Sequence, residues 1–151
     1  MEKMKEYIDL IPFGSAWSWM VGFLGGVFAA ALGGWDTAAQ ALLIFMGVDV
    51  VSGLVVAGIF GKSGKTGGGA LSSLAMWKGL ARKLFTLVMV ALAAELDRVL
   101  KTGIFRDATI IAYIANELLS IVENVGLMGV PIPAAIKKAV EILKDKEEEH
   151  V

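Results

Sequence analysis

Charged residues are absent from two long stretches near the start of the chain. Residues 10–35 carry no charge, and residues 37–61 carry only Asp49. A helix of about 20 residues crosses the roughly 30 Å hydrocarbon core of a bilayer. Both stretches are long enough to span a membrane, and a domain of this size has too little interior to surround two such helices. We therefore predict an integral membrane protein rather than a soluble domain.

The first half of the chain is expected to form a helical hairpin. We predict helices over about residues 13–32 and 37–60, joined by a tight turn in which Asp36 caps the second helix. Small residues recur every four positions on both helices, a spacing that lets membrane helices approach closely. The residues predicted to pack in this way are Gly22, Gly26, Gly53 and Ala57.

The second half alternates apolar and polar positions. A third helix over about residues 77–100 has an uncharged centre of only residues 84–94, so it can span but less readily than the first two. A fourth helix, over about residues 106–125, carries a polar stripe at three-to-four spacing that cannot face lipid. The stripe comprises Thr109, Tyr113, Asn116, Glu117, Ser120, Glu123 and Asn124.

Glycines and prolines between residues 126 and 133 end the fourth helix. Residues 134–151 form a short amphipathic helix and a mixed-charge tail, which we expect to be cytoplasmic. The predicted fold is thus all-α: one membrane domain over residues 1–151, with four hydrophobic helices, three or four of them transmembrane, plus the amphipathic C-terminal segment.

The basic residues between helices two and three predict how the chain is oriented in the membrane. Residues 61–83 contain five basic residues and no acid, which marks a cytoplasmic loop and, two spans earlier, a cytoplasmic N-terminus. The glycine-rich string GKSGKTGGG lacks the glycine that a phosphate-binding loop needs five residues before its Gly-Lys-Ser/Thr, and no strand precedes it. The basic residues are Lys62, Lys65, Lys78, Arg82 and Lys83.

The composition of the chain excludes several classes of function. Hydrophobic residues make up 56% of the chain, the net charge is −1, cysteine is absent and there is a single histidine. A near-neutral chain gives no reason to expect nucleic acid, and without cysteine there is neither a disulfide nor a thiolate site. The lone His150 cannot build a catalytic triad or a histidine-based metal centre. We predict that the protein is not an enzyme and needs no cofactor or metal.

Acidic residues inside predicted spans are the strongest functional candidates. An ionised acid such as Asp49 at a span's centre costs about 2.5–3.5 kcal/mol on insertion scales, so it must face protein or water. Lys83 or Arg82 can pair with it only if the third helix enters deeply. Glu117 and Glu123 are accommodated if their faces meet around an aqueous lumen. An alternative is a small ion channel or multidrug-type transporter that uses Asp49 or Glu117 as a cation or proton site.

Two strings in the chain resemble one family. YIANELLSIVENVGLMGVPIP, residues 113–133, is similar to the C-terminal signature of the toxin secretion/phage lysis holins, and FMGVDVVSG, residues 45–53, is similar to their aspartate-then-glycine motif. The segment from Lys78 to Lys83 and the later Asp97 also fit the family pattern, and the resemblance covers about residues 44–143. The long C-terminal string is the most specific part.

The resemblance implies a small phage or prophage protein of the host bacterial cytoplasmic membrane. Such proteins oligomerise into lesions that release a cell-wall-degrading endolysin, and some relatives assist toxin export. The partners implied are the lipid bilayer, other copies of the chain and, functionally, an endolysin. Met4 follows Met1 closely enough to be an alternative start. The polar contacts expected in the oligomer or lesion are Asp49, Tyr113, Asn116, Glu117, Ser120, Glu123 and Asn124.

Overall fold

The computed structural model describes residues 16–64 and 67–136, together with Lys138 and Ile142, and every regular element within them is helical. Predictions for residues 13–15, for Lys65 and for most of the C-terminal tail lie outside the described residues. A π-helical turn, Val56–Phe60, continues the second helix. The four α-helices are α1 (Ala16–Ala31), α2 (Thr37–Val55), α3 (Ser73–Leu100) and α4 (Ile104–Leu127).

Local side-chain chemistry sets several helix ends. Asp36 caps α2 as predicted, because its carboxylate accepts a hydrogen bond from the amide of Ala39 at 2.9 Å. Ser72 caps α3, which therefore begins at Ser73 rather than at about residue 77. The π-helical turn ends at Gly61, whose positive φ of 60° suits glycine.

Helix α4 is the centre of the bundle. It packs against both α2 and α3, whereas direct contact between α2 and α3 is sparse. Near the α1–α2 turn the three helices share a small apolar core, with Leu42 and Met46 from α2, Val90 from α3 and Ile110 from α4. Leu32, just before the turn, completes this core. This apolar core therefore holds the three helices together near the α1–α2 turn.

Among the described residues, helix α1 makes few contacts with the rest of the chain, although the Arg98 guanidinium on α3 donates to the carbonyl of Ala30 near its end. Most of its large apolar side chains are exposed, including Trp19 and Phe23. A Cβ atom placed on Gly22 or Gly26 would meet no atom within 4 Å. Within the described part of the chain, no other helix lies against these two glycines. Packing of α1 against a second copy remains a prediction.

The outer surface of the bundle is strongly apolar. Thr37–Phe60 and Ile104–Leu127 are, among the described residues, long and apolar enough to cross a membrane, and Trp17–Ala31 is a shorter apolar helix. Only about a quarter of each long segment is buried (28% and 22%), which is unlike the core helix of a soluble protein. Exposed side chains such as Ile111 and Phe85 extend this surface, which suits a lipid environment.

Candidate functional site

A cluster of five polar residues lies inside the bundle, halfway along its helices. We call it the Lys83 cluster. One of its residues comes from α3, and the others come from α2 and α4, so that it joins all three packed helices. The members are Asp49, Ser52, Lys83, Glu117 and Asn124.

The ammonium group of Lys83 sits between two carboxylates. Its Nζ lies 2.9 Å from Oδ2 of Asp49 and also donates to Oε2 of Glu117. All three side chains are almost fully buried, with 8–12% of their surface exposed. Since α2 and α3 otherwise hardly touch, Lys83 provides the main polar link between them.

Asn124 completes the cluster from α4. Its Nδ2 donates to Oδ1 of Asp49 at 3.2 Å and to Oγ of Ser52 at 2.9 Å, while the Ser52 hydroxyl donates to the main-chain carbonyl of Asp49. Gly53 lies against the same amide group, at 3.7 Å from where a Cβ would be. The small residue predicted to allow close packing at this position thus faces the side chain of Asn124.

Depth makes this cluster unusual. Lys83 lies about 15 Å from the start of α3 at 1.5 Å per residue, roughly half the thickness of a hydrocarbon core. An unpaired charge at such a depth is costly, and removing one partner of a buried ion pair typically costs about 3–5 kcal/mol. Mutual pairing therefore allows Asp49 and Glu117 to lie in the two helices that are long and apolar enough to cross a membrane.

A second polar group, at the end of the bundle near the α1–α2 turn, centres on Arg106. We call it the Arg106 clamp, comprising Arg106, Asp36 and Asp97. The guanidinium of Arg106 contacts both carboxylate oxygens of Asp36, at 2.7 and 3.0 Å. It also donates to the carbonyls of Leu32 and Gly34. Arg106 thereby fixes the α1–α2 turn against the start of α4.

Asp97 supplies the other half of the clamp. Its carboxylate accepts hydrogen bonds from the amides of Ile104, Phe105 and Arg106, the first residues of α4, at 2.8–3.2 Å. The hydroxyl of Thr102 donates to it as well. These amides have no partner within their own helix, so Asp97 holds the α3–α4 connection by capping α4 from a distance.

The clamp changes the acidity of Asp36, which lies in the turn outside the helices. Its hydrogen bonds with the Arg106 guanidinium, helped by the Ala39 amide, lower the pKa of Asp36 from 3.8 to about 2. The carboxylate is half exposed, so this pairing is screened by solvent.

The polar stripe of α4 does not face inward as a unit. Glu117 and Asn124 are buried in the Lys83 cluster, Tyr113 packs at the edge of the apolar core, and Ser120 is half-buried. Asn116 and Glu123 are exposed on the outer surface. Within the single chain, Glu117 is accommodated by Lys83 rather than by Glu123 across an aqueous lumen.

The basic residues of the predicted loop divide into two groups. Lys62 is exposed in the segment between α2 and α3, whereas Lys78, Arg82 and Lys83 belong to α3 itself. Of these three, Lys83 turns into the bundle while Lys78 and Arg82 stay exposed. Of the two bases proposed as partners of Asp49, the structure pairs Lys83 with it.

A cavity of about 250 Å³ lies between α2 and α3, on the side of the Lys83 cluster that faces the connecting segment. Apolar residues such as Leu54, Met76 and Leu80 line its walls, while Asp49, Lys83 and Asn124 lie at its inner end. Within the described part of the chain, no group of three or more histidines or acids is placed to hold a metal ion.

Ser52 and Arg106 are the residues that sequence reasoning missed. Ser52 follows Asp49 by one helical turn, so its place on the same face was readable from the spacing. Arg106 stands at a helix start, where a base is unfavourable to the helix dipole. That misfit was the available signal that Arg106 is held by acids from elsewhere in the chain.

Comparison with known proteins identifies the family of this chain. The model of the bacteriophage holin family matches residues 26–145. The chain belongs to the bacteriophage holin family. This holin is therefore a membrane protein of the kind that acts in phage lysis. Holins as a class are not enzymes.

Relatives of this holin occur in Gram-positive bacteria and their phages. It is 30% identical over 109 residues to a probable holin of Bacillus phage phi105, covering 72% of this chain and 75% of the relative. An uncharacterized Listeria innocua protein is 38% identical over 136 residues, covering 87% and 91%. A Clostridium perfringens protein encoded in the nagH 3′ region is 36% identical over 131 residues, covering 85% and 93%. No solved structure matches the chain.

Proposed function

We propose that this holin accumulates in the bacterial cytoplasmic membrane as a closed bundle and then oligomerises into lesions that release an endolysin. The observation that carries the proposal is the Lys83 cluster inside a bundle with an apolar exterior. The exterior suits storage in lipid. Inside the bundle, the polar side chains of the cluster are paired with one another. A water-filled lesion requires such polar groups in its lining.

All four helices cross the membrane in this proposal. Helix α3 has 28 residues, about 42 Å at 1.5 Å per residue, which exceeds the hydrocarbon thickness. Its most deeply placed charge, Lys83, is neutralised within the bundle, while Arg82 is exposed and can extend toward the headgroups. The charges are therefore compatible with a spanning α3.

Four crossings give the proposed topology. The N-terminus, the basic connection between α2 and α3 and the C-terminal tail then share the cytoplasmic side, in accordance with the positive-inside rule. Because the chain has no cysteine, a single cysteine at position 145 reports the side of the tail. Labelling of intact cells by an impermeant maleimide would contradict four crossings, and labelling only after permeabilisation would support them.

Lesion formation requires the cluster to exchange partners. Asp49, Glu117 and Asn124 are bound within one chain, whereas Asn116 and Glu123 already lie on the exterior. We propose that exterior polar residues and the exposed apolar side chains of α1 make the first contacts between copies. Separation of α2, α3 and α4 then transfers the cluster residues, with Ser120 and Tyr113 beside them, to water and to neighbouring copies.

Induced expression with a co-expressed cytoplasmic endolysin tests this function. The turbidity of the culture should rise as in normal growth for some time and then fall abruptly. Cells making the endolysin alone should keep growing. Unbroken growth of cells that contain both proteins in normal amounts would contradict the proposal. Toxin release uses the same membrane event, so a large reporter enzyme in the medium tests it directly.

The channel or transporter alternative requires Asp49 or Glu117 to bind a passing cation. Lys83 already occupies the position between these two carboxylates, which favours the holin proposal. Liposomes separate the two functions. A holin lesion should release an encapsulated folded enzyme, whereas a channel should release small ions and retain the enzyme.

A further inference from the structure

The cavity between α2 and α3 has apolar walls, and the polar groups at its inner end bind one another. The polar groups at its inner end are bound to one another, and among the described residues no buried side-chain nitrogen or oxygen lacks a partner. A ligand therefore needs no polar group at that depth. The apolar walls suit an apolar ligand about 15 Å long, which is the distance from the connecting segment to Lys83.

The mouth of the cavity has the opposite character. Ser63, Gly64 and Ser72 lie there, and the first amides of α3 begin directly after Ser72. Lys62 is exposed next to Ser63, and no acid occurs anywhere in residues 61–83. A helix N-terminus beside unopposed basic residues attracts an anion, and basic pockets between membrane helices bind anionic lipid headgroups.

We infer that the cavity binds one anionic phospholipid. One acyl chain lies between α2 and α3, and the phosphate lies at the mouth, near Lys62 and the start of α3. The occupant is a lipid rather than a soluble anion, because the walls are apolar and α2 and α3 are not packed against each other there. This inference requires only that the protein lies in a membrane. Lipid binding at the cavity does not depend on the proposed role in lysis.

Native mass spectrometry of the full chain tests the inference. Micelles are supplied with equal amounts of phosphatidylglycerol and phosphatidylcholine that carry the same acyl chains. The wild-type protein should retain one phosphatidylglycerol, in preference to phosphatidylcholine by about fivefold or more. Equal retention of the two lipids would overturn the proposal.

Three variants assign the lipid to this cavity. Gly79 lines the wall, and a Cβ placed on it meets no atom within 4 Å, so Gly79→Leu should fill the cavity without strain and improve helix propensity. It should abolish retention of phosphatidylglycerol. Lys62→Gln should lose most of the preference, while Lys101→Gln, an equal change of charge at the other end of α3, should keep it.

The contradicting outcomes are equally specific. Undiminished retention by Gly79→Leu would place the lipid elsewhere, and an equal loss in Lys62→Gln and Lys101→Gln would show attraction by total charge rather than a site. Circular dichroism and gel filtration in the same micelles establish that each variant is folded. Their readout does not involve lysis, so a failure here leaves the proposed holin function to its own test.

Discussion

The Lys83 cluster and the Arg106 clamp each pair a buried cation with acidic side chains, but they stabilise different parts of the molecule. The clamp acts largely on the main chain: Arg106 binds the carbonyls of Leu32 and Gly34, and Asp97 binds three amides of α4. The cluster joins helices almost entirely through side chains. One holds connections in place, and the other holds helices together.

This difference decides which site can open. Releasing the clamp exposes main-chain groups at two helix ends, and these groups are expensive to leave unpaired in a membrane. Releasing the cluster exposes only side chains, which water or a neighbouring copy can satisfy, while the hydrogen bonds inside each helix stay intact. In the proposed function, the clamp therefore stays intact throughout, and the bundle separates at the Lys83 cluster.

Removal of the Lys83 ammonium should have the largest effect. Lys83→Met leaves Asp49 and Glu117 facing each other without a cation, at an expected cost of about 3–5 kcal/mol of bundle stability. Unfolding in micelles by increasing mole fractions of sodium dodecyl sulfate measures the loss. Lysis should also begin earlier after induction.

Two companion variants make the Lys83 result specific. Lys78→Met removes an exposed base from the same helix and should leave stability unchanged. Adding Asp49→Asn and Glu117→Gln to Lys83→Met removes the unpaired charges and should recover part of the loss. A Lys83→Met protein as stable as wild type would show that the cluster does not hold α3.

Loss of the clamp should be somewhat less costly, because Asp36 is half exposed. Arg106→Ala should lower the free energy of unfolding by about 2–3 kcal/mol, as expected for hydrogen bonds to a charged group. It should not advance lysis, since the cluster remains. Arg82→Ala, at an exposed arginine on α3 that donates to the carbonyl of Lys78 in its own helix, is the control. Earlier lysis by Arg106→Ala than by Lys83→Met would reverse the roles assigned to the two sites.

The amide of Asn124 should contribute less again. Asn124→Ala leaves Oδ1 of Asp49 and the Ser52 hydroxyl without their donor, at about 1–3 kcal/mol. Asn116→Ala changes the same residue type on the exposed side of α4 and should be nearly neutral. The same denaturation series measures both variants. Equal effects at the two positions would mean that the contacts of Asn124 add nothing to the bundle.

Acid should weaken the clamp by the smallest amount. The pKa of Asp36 is lowered from 3.8 to about 2 by Arg106, so its contribution is complete above pH 3.8 and is lost as the pH falls through about 2. The stability difference between wild type and Asp36→Asn should therefore shrink between pH 5 and pH 2. A difference that stays constant over this range would show that Asp36 is not paired in solution.

The apolar runs predicted the helical class well, because length and composition alone make a helix stable in lipid. They predicted packing less well. In a membrane protein the outer face is as apolar as the core, so periodicity does not show which side of a helix turns inward. The inner face of α4 accordingly combines Arg106, Ile110, Glu117 and Asn124, at spacings of four and seven residues, while Asn116 faces outward.

The candidate site was predictable in its parts but not in its connections. The cost of burying Asp49 and Glu117 showed that each needed a partner. Identifying Lys83 required knowing how deeply α3 enters, and Ser72 fixes that by starting the helix earlier than the apolar centre suggests. The Arg106 clamp joins residues 70 positions apart through a turn, a link that no local pattern encodes.

A reversible link across the Lys83 cluster tests the central claim, that separation of this cluster precedes lesion formation. Ser52 and Asn124 touch across α2 and α4 at 2.9 Å, and the chain has no cysteine of its own. The paired variant Ser52→Cys with Asn124→Cys places two thiols across this contact, and non-reducing electrophoresis measures how much of the protein is cross-linked. Cells with the oxidised protein and an endolysin should keep growing, and a reductant should trigger lysis. The single-cysteine variants should lyse with or without it. Lysis by the fully cross-linked protein at the same time as the reduced one would contradict the account.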